Sequence, residues 1–224
     1  MHNLDDEGRR RSTLTKTHDV LLIEGSPYRI LLEENGEPAP ASDRQKHEAD
    51  VERVCRLRRQ ETPAQREERI SEFRKRLARY HKAVQEIPDA FNFRLLGEEL
   101  IRGRPAYYID VTPRPGYRPV DRYSRLFTQV TGKLWIDKQD LFWARVDSEL
   151  RETVTFGWIL VRIHAFSRVS MTQVRVDNGV WLPERLWYRV SLRVGLLRSY
   201  HLEEETLYGP YVEAGSDPRL ARFR

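Results

Sequence analysis

Cysteine is nearly missing from this sequence: Cys55 is its one thiol, which excludes an internal disulfide framework and a zinc centre built on cysteines. Long apolar runs are missing too. None could cross a bilayer, and Met1 to Arg11 is too polar for a secretory signal peptide, so the sequence as written shows no export signal. There is no phosphate-cradling glycine loop, no Gly-x-Ser-x-Gly elbow and no His-Glu-x-x-His. His2, His18, His47, His81, His164 and His201 stand far apart and never at ligand spacing, so they read as surface or capping residues. Glu203, Glu204 and Glu205 alternate across the two faces of a strand and form no acid/base pair, although Glu204 would sit on the apolar side. No enzyme, metal or cofactor is therefore expected.

Apolar residues make up only 39% of the chain and charged ones 33%, which implies a thin core and a heavily solvated segment. The formal charge of +5 hides a mixed surface of 39 basic and 34 acidic residues, so nucleic acid is not expected as a partner. At 224 residues one domain over 1–224 suffices.

What is present is alternation. Lys133 to Asp137 and Leu141 to Asp147, joined by the polar turn at 137–140, read as an antiparallel hairpin with Leu134 and Ile136 on one face and Trp135 on the other. Both faces carry large apolar groups, so this hairpin belongs at the centre of a larger sheet. Before it, Ser12 to Glu24 and Tyr28 to Glu33 read as the first strand pair of that sheet, and Asp5 to Gly8 as a turn without a preceding strand, as if the start were clipped. Phe91 to Ile101, the turn Arg102-Gly103 and Ala106 to Thr112 give another pair; Tyr123, Leu126 and Phe127 would seal one end. After it come strands at Ser148 to Phe156 and Arg168 to Asp177, the turn Asn178-Gly179, and the clean alternation of Glu184 to Val194. Ser199 to Tyr208 pairs with the last, a natural register placing Leu192 by Leu202, Val194 by Tyr200 and Arg189 by Glu205. Gly157 to Phe166, the most apolar run, fits strand, helix or loop, and residues 212–224 read as a disordered tail.

The solvated segment lies at residues 42–87. Ser42 with Gln45 suggests a capping box opening one helix, Thr62-Pro63 with Gln65 opens a second, and Ile87-Pro88-Asp89 ends it. Ile70, Phe73, Leu77, Tyr80, Val84 and Ile87 form one narrow stripe; the first helix offers Val51, Val54, Cys55 and Leu57. This reads as a charged helical hairpin between strands, either a solvated appendage or a detachable lid. The fold class expected is thus α+β, a curved antiparallel sheet with a helical insert.

Gly132 to Asp137 (GKLWID), Trp143 to Val146 (WARV), Phe156-Gly157-Trp158 and Asn178 to Pro183 (NGVWLP) resemble the outer-membrane lipoprotein-sorting, LolA-like family of bacterial envelope proteins. The resemblance spans Ser12 to Tyr211 and implies an open half-barrel around an apolar cavity, work in the periplasm, and a lipid or lipoprotein acyl chain as partner. An envelope protein partner and peripheral membrane contact follow as further expectations. The side chains expected to line the cavity are Trp135, Trp143, Phe156, Trp158, Leu160, Tyr188, Val190 and Leu192. A sensing or protein-interaction module, with a filled interior and the helical hairpin as its docking surface, is the alternative.

Overall fold

The computed structural model describes residues 1–4, 9–120, 124–156, 161–177, 179–195 and 198–213. Where the sequence suggests one domain, the chain divides into two compact units, a larger one built on residues 1–12 and 83–209 and a smaller one on 13–82. Strands β1 (His2–Leu4) and β2 (Arg10–Thr13) open the larger unit. The smaller holds β3 (Lys16–Ile23), β4 (Ser26–Glu34), β5 (Glu37–Pro38), helix α1 (Arg44–Arg59) and most of α2 (Pro63–Ala90). The rest of the larger unit comprises β6 (Phe91–Ile101), β7 (Arg104–Pro113), β8 (Val130–Asp137), β9 (Trp143–Leu150), β10 (Val154–Phe156), β11 (Val161–Ile163), β12 (Arg168–Arg175), β13 (Trp181–Val194) and β14 (Arg198–Leu207).

In the smaller unit β3, β4 and β5 form their own sheet, so the opening strand pair does not join the large one as expected. Glu24 and Gly25 turn β3 into β4 with φ of 45° and 84°, the paired positive values that match strand twist in a two-residue hairpin. Leu21, Ile23 and Ile30 on one face of that hairpin pack with Val51, Val54 and Cys55 of α1. Those are three of the four helix residues the sequence offers; they fill a core, while Leu57 stays exposed. Arg58 of α1 donates to the carbonyls of Ile23 (2.6 Å) and Ser26 (2.8 Å), and Arg69 of α2 to Ser26 Oγ (2.7 Å), so arginines from both helices pin the turn. Burial lowers the Arg58 pKa and raises that of the Cys55 thiol.

The helices differ from the expected hairpin: α1 ends at its cap Gln60, α2 restarts at Pro63, and the two together form one bent helical segment. Asp43, not Ser42, caps α1, accepting from Lys46 N at 3.0 Å. Thr62 and Gln65 do form the reciprocal box at the start of α2, with bonds of 3.3 and 2.9 Å. α2 ends at Ala90, one residue past the expected Ile87-Pro88-Asp89 stop, and Arg114 donates to the carbonyls of Pro88 (2.9 Å), Ala90 (2.8 Å) and Phe91 (3.1 Å) there.

The larger unit is an open, curved, mostly antiparallel sheet in the order β2-β1-β14-β13-β12-β9-β8-β7-β6, with β10 and β11 beside β13. His2–Leu4 thus supplies a strand before residues 5–8, which lie outside the described residues, as do Tyr123, Trp158, Leu160, Asn178 and residues 214–224. The run expected as one strand over Ser148 to Phe156 breaks at 151–153 into the end of β9 and β10. β13 and β14 pair two residues out of the expected register, Leu192 with Tyr200, Val194 with Arg198 and Arg189 with Glu203. A shift of two preserves both faces.

The sheet curls at one end. Arg102, in the turn between β6 and β7, forms an ion pair with Glu184 on β13. β8, β9 and β12 lie between β7 and β13, a separation of roughly 19 Å across a flat sheet. At the other end Phe91 packs on Phe127 with ring centres 5.4 Å apart.

Candidate functional site

The two faces of the larger sheet have opposite chemistry, and the strand registers lay each out as rows. One row crosses β7, β8, β9, β12 and β13 as Ile109, Leu134, Val146, Met171 and Leu186. Beside it run Tyr107, Ile136 and Trp143 on one flank, and Val111, Gly132, Ser148, Val169 and Tyr188 on the other. Further along β13, Val190 and Leu192 share this face, and Ile163 and Val154 continue the Leu192 row. Ile109, Leu134, Ile136, Val146, Met171 and Leu186 are none of them fully buried. A row that crosses five strands of the sheet, apolar and only half-covered, leaves a continuous greasy track on the larger unit.

Gly132 lets the track lie flat. A Cβ at this position would stand 2.2 Å from the Asp147 carbonyl oxygen, so only glycine allows β8 and β9 to approach as they do.

A carboxylate intrudes on the apolar face within β14. Glu204 stands opposite Tyr188 and accepts a 2.6 Å hydrogen bond from its hydroxyl, and the other carboxylate oxygen faces Thr206 Oγ1 at 3.5 Å. Burial, helped by this acceptor, pushes the Tyr188 pKa up to about 12, so the phenol keeps its proton and keeps donating. Tyr188 and Glu204 are thus a polar fixture at the end of the Val169 row.

The opposite face is a ladder of alternating charge. Asp110, Lys133, Asp147, Ser170, Trp187 and Glu205 form one row, and Tyr108, Trp135, Arg145, Thr172 and Arg185 the next. Lys133 reaches Asp110 at 2.7 Å, Arg145 and Ser170 reach Asp147 at 2.5 and 2.6 Å, and Arg185 reaches Glu205 at 2.6 Å. Hydrogen bonds from Lys133 and then Arg94 hold the Asp110 carboxyl below its ordinary pKa. Two open grooves of about 360 and 410 Å³ lie on this face, sharing Arg145 and Arg185 in their walls. The openings of the sheet are therefore lined by ion pairs, where an apolar cavity was expected.

Trp135 belongs to this charged face, away from the other expected lining residues. It is buried because Tyr108 stacks on it at 5.1 Å, the Arg145 guanidinium covers it at 4.7 Å, and its Nε1 donates to Glu99 at 2.8 Å. Trp143 keeps to the apolar side by virtue of a bulge that sets it opposite Ile136, where it stacks on Phe142 at 6.2 Å. Phe156 pairs with Val161, which pairs with Val194, so Phe156, Tyr188, Val190 and Leu192 do share the apolar face. The residues missed are the central row, whose alternation is visible strand by strand but whose alignment needs the pairing.

The hairpin turn at 137–142 is held by charge. Asp137, 1% exposed, takes two bonds from Arg104 (2.7 and 2.9 Å) and two from the backbone of Gln139 and Asp140 (3.0 and 2.8 Å). Asp140 in turn accepts from Arg175 at 2.7 Å and Trp181 Nε1 at 3.0 Å, which ties β7, the turn, β12 and β13 together. Among the described residues no three His, Cys, Asp or Glu side chains gather as a metal site. No described helix is long and apolar enough to cross a membrane.

No family model, curated protein or solved structure matches this chain. Fold and faces define an α+β protein whose open, curved sheet has one charged side and one half-covered apolar side.

Proposed function

We propose that this protein is a non-enzymatic carrier of the bacterial cell envelope that shelters an acyl chain of a lipid or lipoprotein along the apolar face of its sheet. The observation that carries this reading is the row Ile109–Leu134–Val146–Met171–Leu186, whose residues stay only partly covered. Four inter-strand steps make that track about 19 Å long, longer than the roughly 15 Å of one leaflet of a bilayer's hydrocarbon core. Each methylene that leaves water for it contributes about 0.8 kcal/mol. The likeness of GKLWID and NGVWLP to LolA-like proteins points to the same cargo and to the periplasm. A fluorescent fatty acyl probe is expected to bind saturably at micromolar concentration and to be displaced by a lipoprotein. Met171→Glu should weaken binding at least tenfold, about 1.4 kcal/mol, while Arg168→Glu on the charged face leaves it unchanged. Absence of saturable binding, or equal loss in both variants, overturns the reading.

The second reading, a protein-interaction module docking through the helices, is favoured by Leu57 and Leu77, 52% and 43% exposed on otherwise charged helices.

A further inference from the structure

The two edges of the larger sheet are built differently. β2, at one edge, is four residues long and reads Arg-Arg-Ser-Thr, a short charged strand of the kind that discourages addition of another. β6, at the other edge, runs for eleven residues, and among the described residues no strand pairs with its outer side. It carries Phe93, Leu95 and Leu100 at 43%, 61% and 70% exposure. A long edge strand with apolar side chains and open backbone groups is a template for a further strand.

The sequence of β6 says which strand fits. A bulge between Leu95 and Gly97 changes the alternation of its faces. Phe93 and Leu95, opposite Val111 and Ile109, and Glu98 and Leu100, opposite Tyr107 and Pro105, lie on the apolar side. Arg94, opposite Asp110, and Glu99, opposite Ala106, lie on the charged side. We propose that β6 pairs antiparallel with β6 of a second copy of this chain, about a twofold axis passing between Leu96 and Gly97. In that register Arg94 of one copy faces Glu99 of the other on the charged side, and Phe93 faces Leu100 on the apolar side. The twofold makes every such contact twice. Because the bulge resets the parity, the opposite-charge pair and the Phe93–Leu100 pair fall in one register on their own faces, with Leu95 opposite Glu98 between them. Arg94 is 73% exposed and its 3.0 Å bond to Asp110 leaves guanidinium donors for the second copy. Glu99 uses one oxygen on Trp135 and has the other to offer. The result is a single sheet continuing through two molecules, with one apolar face and one charged face across both.

This inference does not depend on the acyl-chain reading. Sedimentation equilibrium of the full chain at about 100 μM, enough to fill a micromolar interface, is expected to give twice the 26.6 kDa chain mass. Arg94→Glu and Glu99→Arg should each give the single-chain mass, since each places like charges opposite each other, while keeping the wild-type circular dichroism. An equal mixture of the two should regain the doubled mass, because opposite charges then face each other at both contacts, one pair exchanged and the other as in the wild type. Independently of any variant, amide exchange over Phe93–Leu100 in the wild-type chain should slow as concentration rises. A wild-type chain that stays single with concentration-independent exchange overturns the proposal, and so does a mixture of folded variants that fails to associate. Flotation of a single-chain wild type with lipid vesicles, lost on Leu95→Glu, would give the strip to a membrane surface and also overturn it.

Discussion

Asp137 and Tyr188 show how single side chains set the conditions under which the sheet holds. Arg104 bonds, then the turn amides, outweigh burial and keep the Asp137 carboxyl below its ordinary 3.8. Its stabilisation is therefore present above that value and is lost as pH falls through the depressed one. Asp137→Asn is expected to cost about 2 kcal/mol at neutral pH, with the gap to wild type closing in acid; urea melts across pH measure both. Tyr188 works at the other end of the scale. Its pKa is raised from 10.0 to about 12, so its contribution is complete below 10.0 and is lost as pH rises toward 12. Ultraviolet titration of tyrosinate should show a late phase, and Tyr188→Phe should shorten it, while Tyr28, raised by burial and by its bond to Asp50, still titrates above the ordinary phenols. The alternation of Glu184 to Val194 foretells that Glu204 would face Tyr188's side, whereas the bond between them depends on a register two residues from the expected one.

At the scale of elements, turns were the most legible features and helix ends the least. Gly25 and Gly103 occupy left-handed positions in tight turns, with φ of 84° and 78°, where local chemistry alone decides the outcome. Pro88 marks the helix end to within two residues, while Arg114, distant in sequence, supplies donors for the carbonyls there. Gly132 is a tertiary requirement that no turn signal announces. Gly132→Ala is expected to lower stability by about 1–3 kcal/mol through strain between β8 and β9, read as a lower urea midpoint with unchanged circular dichroism. α1 was read as solvated because charge dominates it; Val51, Val54 and Cys55 are enough to bury one stripe against β3 and β4.

For the molecule as a whole, the decisive property is the segregation of charge and apolar surface onto the two sides of one sheet. Arg145, Arg185 and their carboxylate partners occupy the grooves of one side, while the Met171 row stays open on the other. Acyl-chain binding therefore belongs to the apolar side, and its Met171→Glu and Arg168→Glu variants test the two sides separately. Edge pairing through β6 would extend both sides without altering either, so mass measurements and probe binding report on different surfaces.

The sequence by itself determined most of the strands and turns, the two helices and the alternation that makes each strand two-sided, because those depend on neighbours a few residues apart. Only the tertiary structure decided that the first strand pair stands in its own sheet and that Trp135 lies under Arg145 and Tyr108. It also decided that a five-residue apolar row crosses the sheet. Each of these depends on which strands are adjacent and in what register, and a strand's own pattern carries its faces but not its partner.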